Sequence, residues 1–261
     1  MRLPFKKVFL LNLLSFCFAV INAEKDERLT IYKEANDLKP EARTFDWPRF
    51  NGPFDNATTL ETHLSTDSGK LKINKIWELS KGEGYASPAI ADNRLILFHL
   101  DSSNEIIEAR NPETGKKIWS YDPLVPRSWG RKACCDVVNR GVAVWKGNVF
   151  FASLDGRLIK LNAKTGELIW EINTLIDRDK DYTITGAPRV ANDKVFIGNG
   201  GAEYGVRGYV SAYDTSNGDL IWRFYTVPGD PSLPFEHPEL EMAAKTWTGQ
   251  WWTMGGGGTV W

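Results

Sequence analysis

Cys134 and Cys135 are neighbours in the chain, and paired thiols are the most reactive feature it offers. In an oxidising compartment they join each other or another chain. A bridge between neighbours closes a small ring and strains the peptide inside it, because ordinary disulfides want their Cα atoms further apart than one peptide bond sets them. Strain of that kind collects at functional sites. The other reading is two free thiols, or one that packs as a small hydrophobe. So few thiols exclude a structural zinc site. Downstream, the run Gly198 to Gly208 is rich in glycine and carries Glu203 and Arg207. Glycines at that density let backbone approach a planar or anionic ligand, and Glu203 offers a hard oxygen of the kind calcium takes. A competing reading pairs Glu203 with Arg207 at the surface of a wide loop. The spacing fails G-x-G-x-x-G and opens no helix, which excludes a dinucleotide fingerprint. Arg140 and Thr185 carry no signal alone, and His63, His99 and His237 lack metal-ligand spacing and are assigned to surface or packing.

The elements that hold these residues follow from a repeat. Asn111-Pro-Glu-Thr-Gly-Lys-Lys-Ile-Trp119, Asn162-Ala-Lys-Thr-Gly-Glu-Leu-Ile-Trp170 and Asp214-Thr-Ser-Asn-Gly-Asp-Leu-Ile-Trp222 are one phrase written three times. Gly115, Gly166 and Gly218 are 51 and 52 residues apart, and the tryptophans keep those intervals. Each phrase reads as a polar turn closed by a glycine with positive φ, then a strand that includes Ile and Trp. Alternating or apolar runs precede each phrase, giving about four short strands per period of about fifty residues. That is an all-β pattern, the β-propeller blade of four antiparallel strands, with each Trp packing between blades. A weaker copy ends at Trp77. Residues 45–261 suffice for about four blades, and an open arc would expose sheet edges and one apolar blade face. The expectation is therefore that the chain is the leading part of a larger propeller. Between the third phrase and the C-terminus, Pro228 to Pro234 and then Phe235 to Lys245 read as a long loop with a short helix.

Composition bounds the function classes. The chain has 261 residues, 42% hydrophobic and 25% charged, with 32 Lys and Arg against 33 Asp and Glu and a formal net charge of -1. That balance excludes disorder, and it leaves no basic footprint for nucleic acid. Arg2, Lys6 and Lys7 precede an apolar run from Val8 to Val20, and Ile21-Asn-Ala23 offers a cleavage site, so residues 1–23 read as an export signal. The run is shorter than the roughly 20 residues of a membrane-spanning helix. The mature chain is then periplasmic or secreted, with residues 24–44 as an N-terminal linker and 45–261 as a partial propeller domain.

Several segments together resemble the quinoprotein alcohol dehydrogenases. They are Tyr121 to Gly141, including Gly130-Arg-Lys-Ala-Cys134-Cys135-Asp-Val-Val-Asn-Arg140-Gly; Tyr182-Thr-Ile-Thr185-Gly-Ala-Pro; Gly198 to Gly208; Trp222 to Pro231; and Thr246 to Trp261. The likeness covers about Ile118 to Trp261. It implies an eight-bladed periplasmic propeller that uses pyrroloquinoline quinone (PQQ) with calcium. It further implies that a Cys134–Cys135 ring stacks on one face of the quinone and Trp261 on the other. Arg140, Thr185, Gly201, Ala202 and Thr259 match cofactor-contacting positions, and Glu203 matches a calcium ligand. The implied reaction is oxidation of a small alcohol by hydride transfer to the quinone, calcium acting as Lewis acid. Electrons would pass to a cytochrome c or a quinone acceptor, since no C-x-x-C-H haem motif occurs, with membrane association through that acceptor.

Two departures qualify the resemblance. Where the family carries Glu-Ala-Thr-Pro in its first blade, this chain reads Tyr85-Ala-Ser-Pro88, so the acidic contact is missing. Residues from Phe45 to about Leu100 resemble instead secreted PQQ-like repeat propellers. The family's Asn calcium ligand and catalytic Asp fall in blades beyond Trp261, so no catalytic residue is assigned within this chain, and the expectation is that it is inactive alone. The alternative is a non-catalytic PQQ-like propeller that binds or scaffolds.

Overall fold

The computed structural model describes residues 26–62, 73–102, 104–133 and 138–260. The expected export signal at 1–23, His63, Cys134, Cys135 and Trp261 lie outside the described residues. Three four-stranded antiparallel sheets follow one another along the chain, each a simple meander. Blade I holds β3 (Ala89–Ala91), β4 (Arg94–Asp101), β5 (Asn104–Arg110) and β6 (Lys117–Tyr121). Blade II holds β7 (Ala143–Trp145), β8 (Asn148–Ala152), β9 (Arg157–Asn162) and β10 (Leu168–Asn173). Blade III holds β11 (Arg189–Ala191), β12 (Lys194–Gly198), β13 (Tyr209–Asp214) and β14 (Leu220–Tyr225). Ahead of them β1 (Leu29–Ile31) pairs with β2 (Trp77–Leu79), so the stretch expected as a linker contributes a strand. A helix, α1 (Pro238–Ala244), lies in the long segment after blade III.

The repeated phrase builds the same corner each time. Asn111, Asn162 and Asp214 accept backbone N–H groups from residues two or three ahead, at 2.7–3.1 Å. Those bonds pre-form the turn that Gly115, Gly166 and Gly218 close at φ of 69, 76 and 81°. The tryptophan of the preceding phrase then lies over that glycine. Trp77 Nε1 donates to the Pro112 carbonyl at 2.9 Å, Trp119 to Ala163 at 3.0 Å and Trp170 to Thr215 at 3.3 Å. A Cβ on Gly115 or Gly166 would sit 2.7 Å from the indole, which explains why each phrase needs glycine there. The indole thus satisfies its polar edge while its body seals one blade against the next.

Blade II lies deepest. Phe150, Phe151, Leu158, Ile159 and Leu161 are fully buried, with Phe151, Ile159 and Leu161 packed toward blade I and Phe150 and Leu158 toward blade III. Blade I is tied to the N-terminal segment by buried charge. Arg110, wholly buried, donates to Glu108 and to Asp26 at 2.6 Å, and Arg28 reaches Glu108 at 3.0 Å. Burial pushes the Glu108 carboxyl up, but hydrogen bonds from His99 and Arg110 outweigh it and hold the group well below the ordinary carboxylate range.

Candidate functional site

The site is built where the connections that start each blade meet the hairpin loops at the same end. Three connections are linked in series by backbone: Ser87 N–H donates to the Arg140 carbonyl at 3.3 Å, and Arg140 N–H to the Thr185 carbonyl at 3.1 Å. Ser87 and Gly141 also form a parallel bridge, with Gly141 at φ 118° and a position for Cβ only 2.8 Å from the Ser87 oxygen. Glycine is required there because the two connections approach backbone to backbone. The Arg140 guanidinium donates to both the carbonyl and the Oγ1 of Thr185 at 3.0 Å. Two residues silent in isolation are therefore one polar unit.

The wide loop 199–208 leaves β12 and returns into β13. Asn199 organises it: wholly buried, it accepts the Tyr209 N–H at 2.8 Å, and its Nδ2 donates to the Gly200 carbonyl at 3.1 Å. Gly200 bonds Thr183 at 2.7 Å, and a Cβ on Gly201 would meet the Asp181 oxygen at 2.4 Å. Gly201 is left-handed, and a single 3-10 turn, Ala202–Tyr204, follows it. The segment 255–260 lies along this loop. Gly208 N–H donates to Gly257 at 2.7 Å and Val260 N–H to Asn199 at 3.1 Å, which sets Thr259 beside the loop. A cavity of about 390 Å³ opens here, lined by Arg140, Gly186, Gly198 and Val260 together with the bulky Phe50 and Phe196.

The expected surface pair between Glu203 and Arg207 does not form. Arg207 makes a bidentate pair with Glu236 at 2.6 and 3.0 Å and stacks on Tyr225, so a residue of the long post-blade loop has taken it. Glu203 is exposed, and among the described residues no group of three His, Cys, Asp or Glu surrounds a metal position. The cysteine pair is outside the described residues, but the turn leading to it is anchored. Trp129, in a 3-10 stretch Arg127–Lys132, donates to the Tyr182 carbonyl at 3.2 Å and stacks under Lys132. Tyr85, where the acidic residue was missed, is 73% exposed. Sequence reasoning overlooked Asn139 and Asn199. Asn139 is buried, donates to Ala152 at 2.7 Å and accepts from Gly141 at 2.8 Å, fixing the residue beside Arg140. A buried Asn flanking a glycine connection leaves no periodic signature.

Meandering four-stranded blades joined by indole-on-glycine corners define a β-propeller. The chain belongs to the family described as glucose/ethanol/alcohol dehydrogenase, beta-propeller domain, which matches residues 54–258. It is 64% identical over 177 residues to the quinohemoprotein alcohol dehydrogenase ADH IIB of Pseudomonas putida, covering 67% of this chain and 25% of that protein. It is 46% identical over 227 residues to the quinohemoprotein alcohol dehydrogenase of Comamonas testosteroni, covering 84% of this chain and 31% of that one. The crystal structure of the Comamonas enzyme superposes with a TM-score of 0.73 at 43% identity, over 83% of this chain and 32% of that chain. The chain thus spans about a quarter to a third of the length of these relatives.

Proposed function

We propose that this chain forms one wall of a PQQ site in a periplasmic alcohol dehydrogenase. The whole enzyme would oxidise small alcohols and pass electrons to a cytochrome c or a quinone. The observation that carries the reading is the Arg140 guanidinium, held by Thr185, on the lining of a cavity at the end of the propeller that also bears the 199–208 loop. A fixed guanidinium suits an anionic ligand. Residues of this chain therefore fit PQQ. Arg140 holds carboxylate oxygens, and Thr185 keeps the guanidinium aimed by accepting from it. Gly201 and Ala202 would hold the cofactor through the loop backbone, and Thr259 would add a hydroxyl from the adjoining segment. By the family resemblance, Cys134, Cys135 and Trp261 would also contact the cofactor. Glu203, which is exposed, would supply one carboxylate to calcium, which takes about six to eight oxygens, the others coming from further parts of the enzyme. When bound, PQQ supplies the hydride acceptor and calcium the Lewis acid. The proton-accepting base also lies in further parts of the enzyme.

Reconstitution tests this. The purified chain titrated with PQQ should show quenched tryptophan fluorescence that deepens with calcium, and Glu203→Ala should remove the calcium effect while Arg140→Ala weakens quenching itself. The chain without residues 1–23 should show no free thiol before reduction and two after, in one tryptic peptide. Tyr85 in place of an acid favours a second reading, a non-catalytic propeller; absence of any quenching would establish that reading for this chain.

A further inference from the structure

Trp47, Pro48 and Arg49 are consecutive in the chain, and each reaches a different blade. Strands β3, β7 and β11 are the first of their sheets, so each pairs on one side only and leaves its other edge open. β3 neighbours β7, and β7 neighbours β11, so these open edges face the inner, axial side of the arc. The middle residue of each strand offers a backbone group there, and the three residues take them in order. Trp47 exchanges both backbone bonds with Ile90 of β3 at 2.8 and 2.9 Å, and the Pro48 carbonyl accepts the Val144 N–H of β7 at 2.7 Å. The Arg49 guanidinium donates to the Val190 carbonyl of β11 at 2.9 Å. Edges that would otherwise stand unpaired are thereby covered.

The segment is fastened at both ends. Asp46 accepts the Asp92 N–H at 3.2 Å, at the β3–β4 turn, the end opposite the connections that carry Ser87, Arg140 and Thr185. Asp55 accepts from Arg49 and from Arg189 of β11, each at 3.1 Å. Arg49 is 9% exposed and lies 5.8 Å over the Trp145 ring, so it is built into the arc. Between these clamps Phe50 lines the cavity of about 390 Å³ that Arg140 and Val260 also line, with the Arg189 guanidinium 5.6 Å from its ring. Backbone laid across the inner edges of three successive blades obstructs the axis at that level. We propose that residues 46–55 form an axial plug and that Phe50 is the floor of the candidate cavity. A ligand then enters and leaves at the end bearing the 199–208 loop, and Phe50 sets how deep it sits. The floor rests on the reading of that cavity as the cofactor site; the plug does not.

Amide hydrogen exchange of the chain tests the plug. The Ile90 and Val144 N–H groups have their partners on the segment, so both should exchange slowly. Asp55→Asn, which takes the charge from the clamp, should speed both about tenfold while amides of β9 keep their rates. Exchange of Ile90 and Val144 at the rate of exposed loop amides in the unaltered chain, or unchanged rates in Asp55→Asn, would overturn the plug. The floor is tested with Phe50→Cys, its introduced thiol labelled with a methanethiosulfonate reagent and the label read on the peptide that carries it. PQQ with calcium, at about ten times the concentration that half-quenches tryptophan fluorescence, should slow that labelling about tenfold. Quenching without protection of the thiol would overturn the floor and leave the cofactor reading standing. No quenching at all would overturn the cofactor reading and the floor with it, while the exchange rates still decide the plug.

Discussion

Trp119 and Trp222 close the same phrase and meet different surroundings. Trp119 is 7% exposed, its indole on Gly166 and its N–H on the Ala163 carbonyl. Trp222 is 41% exposed and touches Phe196 of its own blade, while Leu220, Ile221 and Phe224 beside it are also exposed. Nothing within either phrase separates them. What separates them is whether a following hairpin presents its glycine, so the energy of each corner resides in a pair of blades.

That contrast can be broken at its strong end first. Trp119→Ala should cost about 3–5 kcal/mol, read as a lowered urea midpoint, because it empties a sealed contact between blades I and II. Gly166→Ala attacks the same corner from the other side. Its new Cβ would lie 2.7 Å from the indole on a backbone at φ 76°, and about 2–3 kcal/mol should be lost. Gly147 has almost the same φ, 72°, but open space around it, so Gly147→Ala isolates the backbone cost at about 1 kcal/mol. At the weak end, Trp222→Ala should move the midpoint by less than about 1 kcal/mol. A loss there as large as for Trp119 would mean that the exposed indole has a partner in solution.

A second pair of equivalent positions sharpens the lesson. Glu105 and Gly156 stand six residues before Asn111 and Asn162 in their blades. Gly156 turns at φ 85° against Leu175, whereas Glu105 buries a carboxyl beside blade II. Because folding raises the Glu105 carboxyl to about 8, the folded chain binds the proton more tightly than the unfolded one. Its contribution is therefore full below the ordinary Glu range and is lost as pH climbs toward 8. Glu105→Gln should remove that decline, a difference on the order of 1 kcal/mol or more at alkaline pH, measurable as urea midpoints across the range.

Much of this molecule is legible in one dimension. The Asn-x-x-Thr-Gly turn, the Ile-Trp strand and the fifty-residue spacing determine the blades, because each is a local contact or a short hairpin. Among the described residues, the expected blade count of about four appears as three complete blades and the two-stranded β1–β2 sheet. The weak copy at Trp77 lacks the turn phrase, and its partner strand comes from residues 29–31, a pairing across distant sequence that no periodicity marks. The same limit governs the site. The sequence by itself determined the family resemblance from which Arg140, Thr185, Gly201, Ala202, Glu203 and Thr259 are proposed as site residues. Only the tertiary structure decided that Thr185 receives the Arg140 guanidinium, that Glu236 and not Glu203 takes Arg207, and that Glu105 is buried without a partner. Those outcomes depend on which loops of different blades reach the same end of the propeller, a choice made by packing between sheets rather than by any residue's neighbours in the chain.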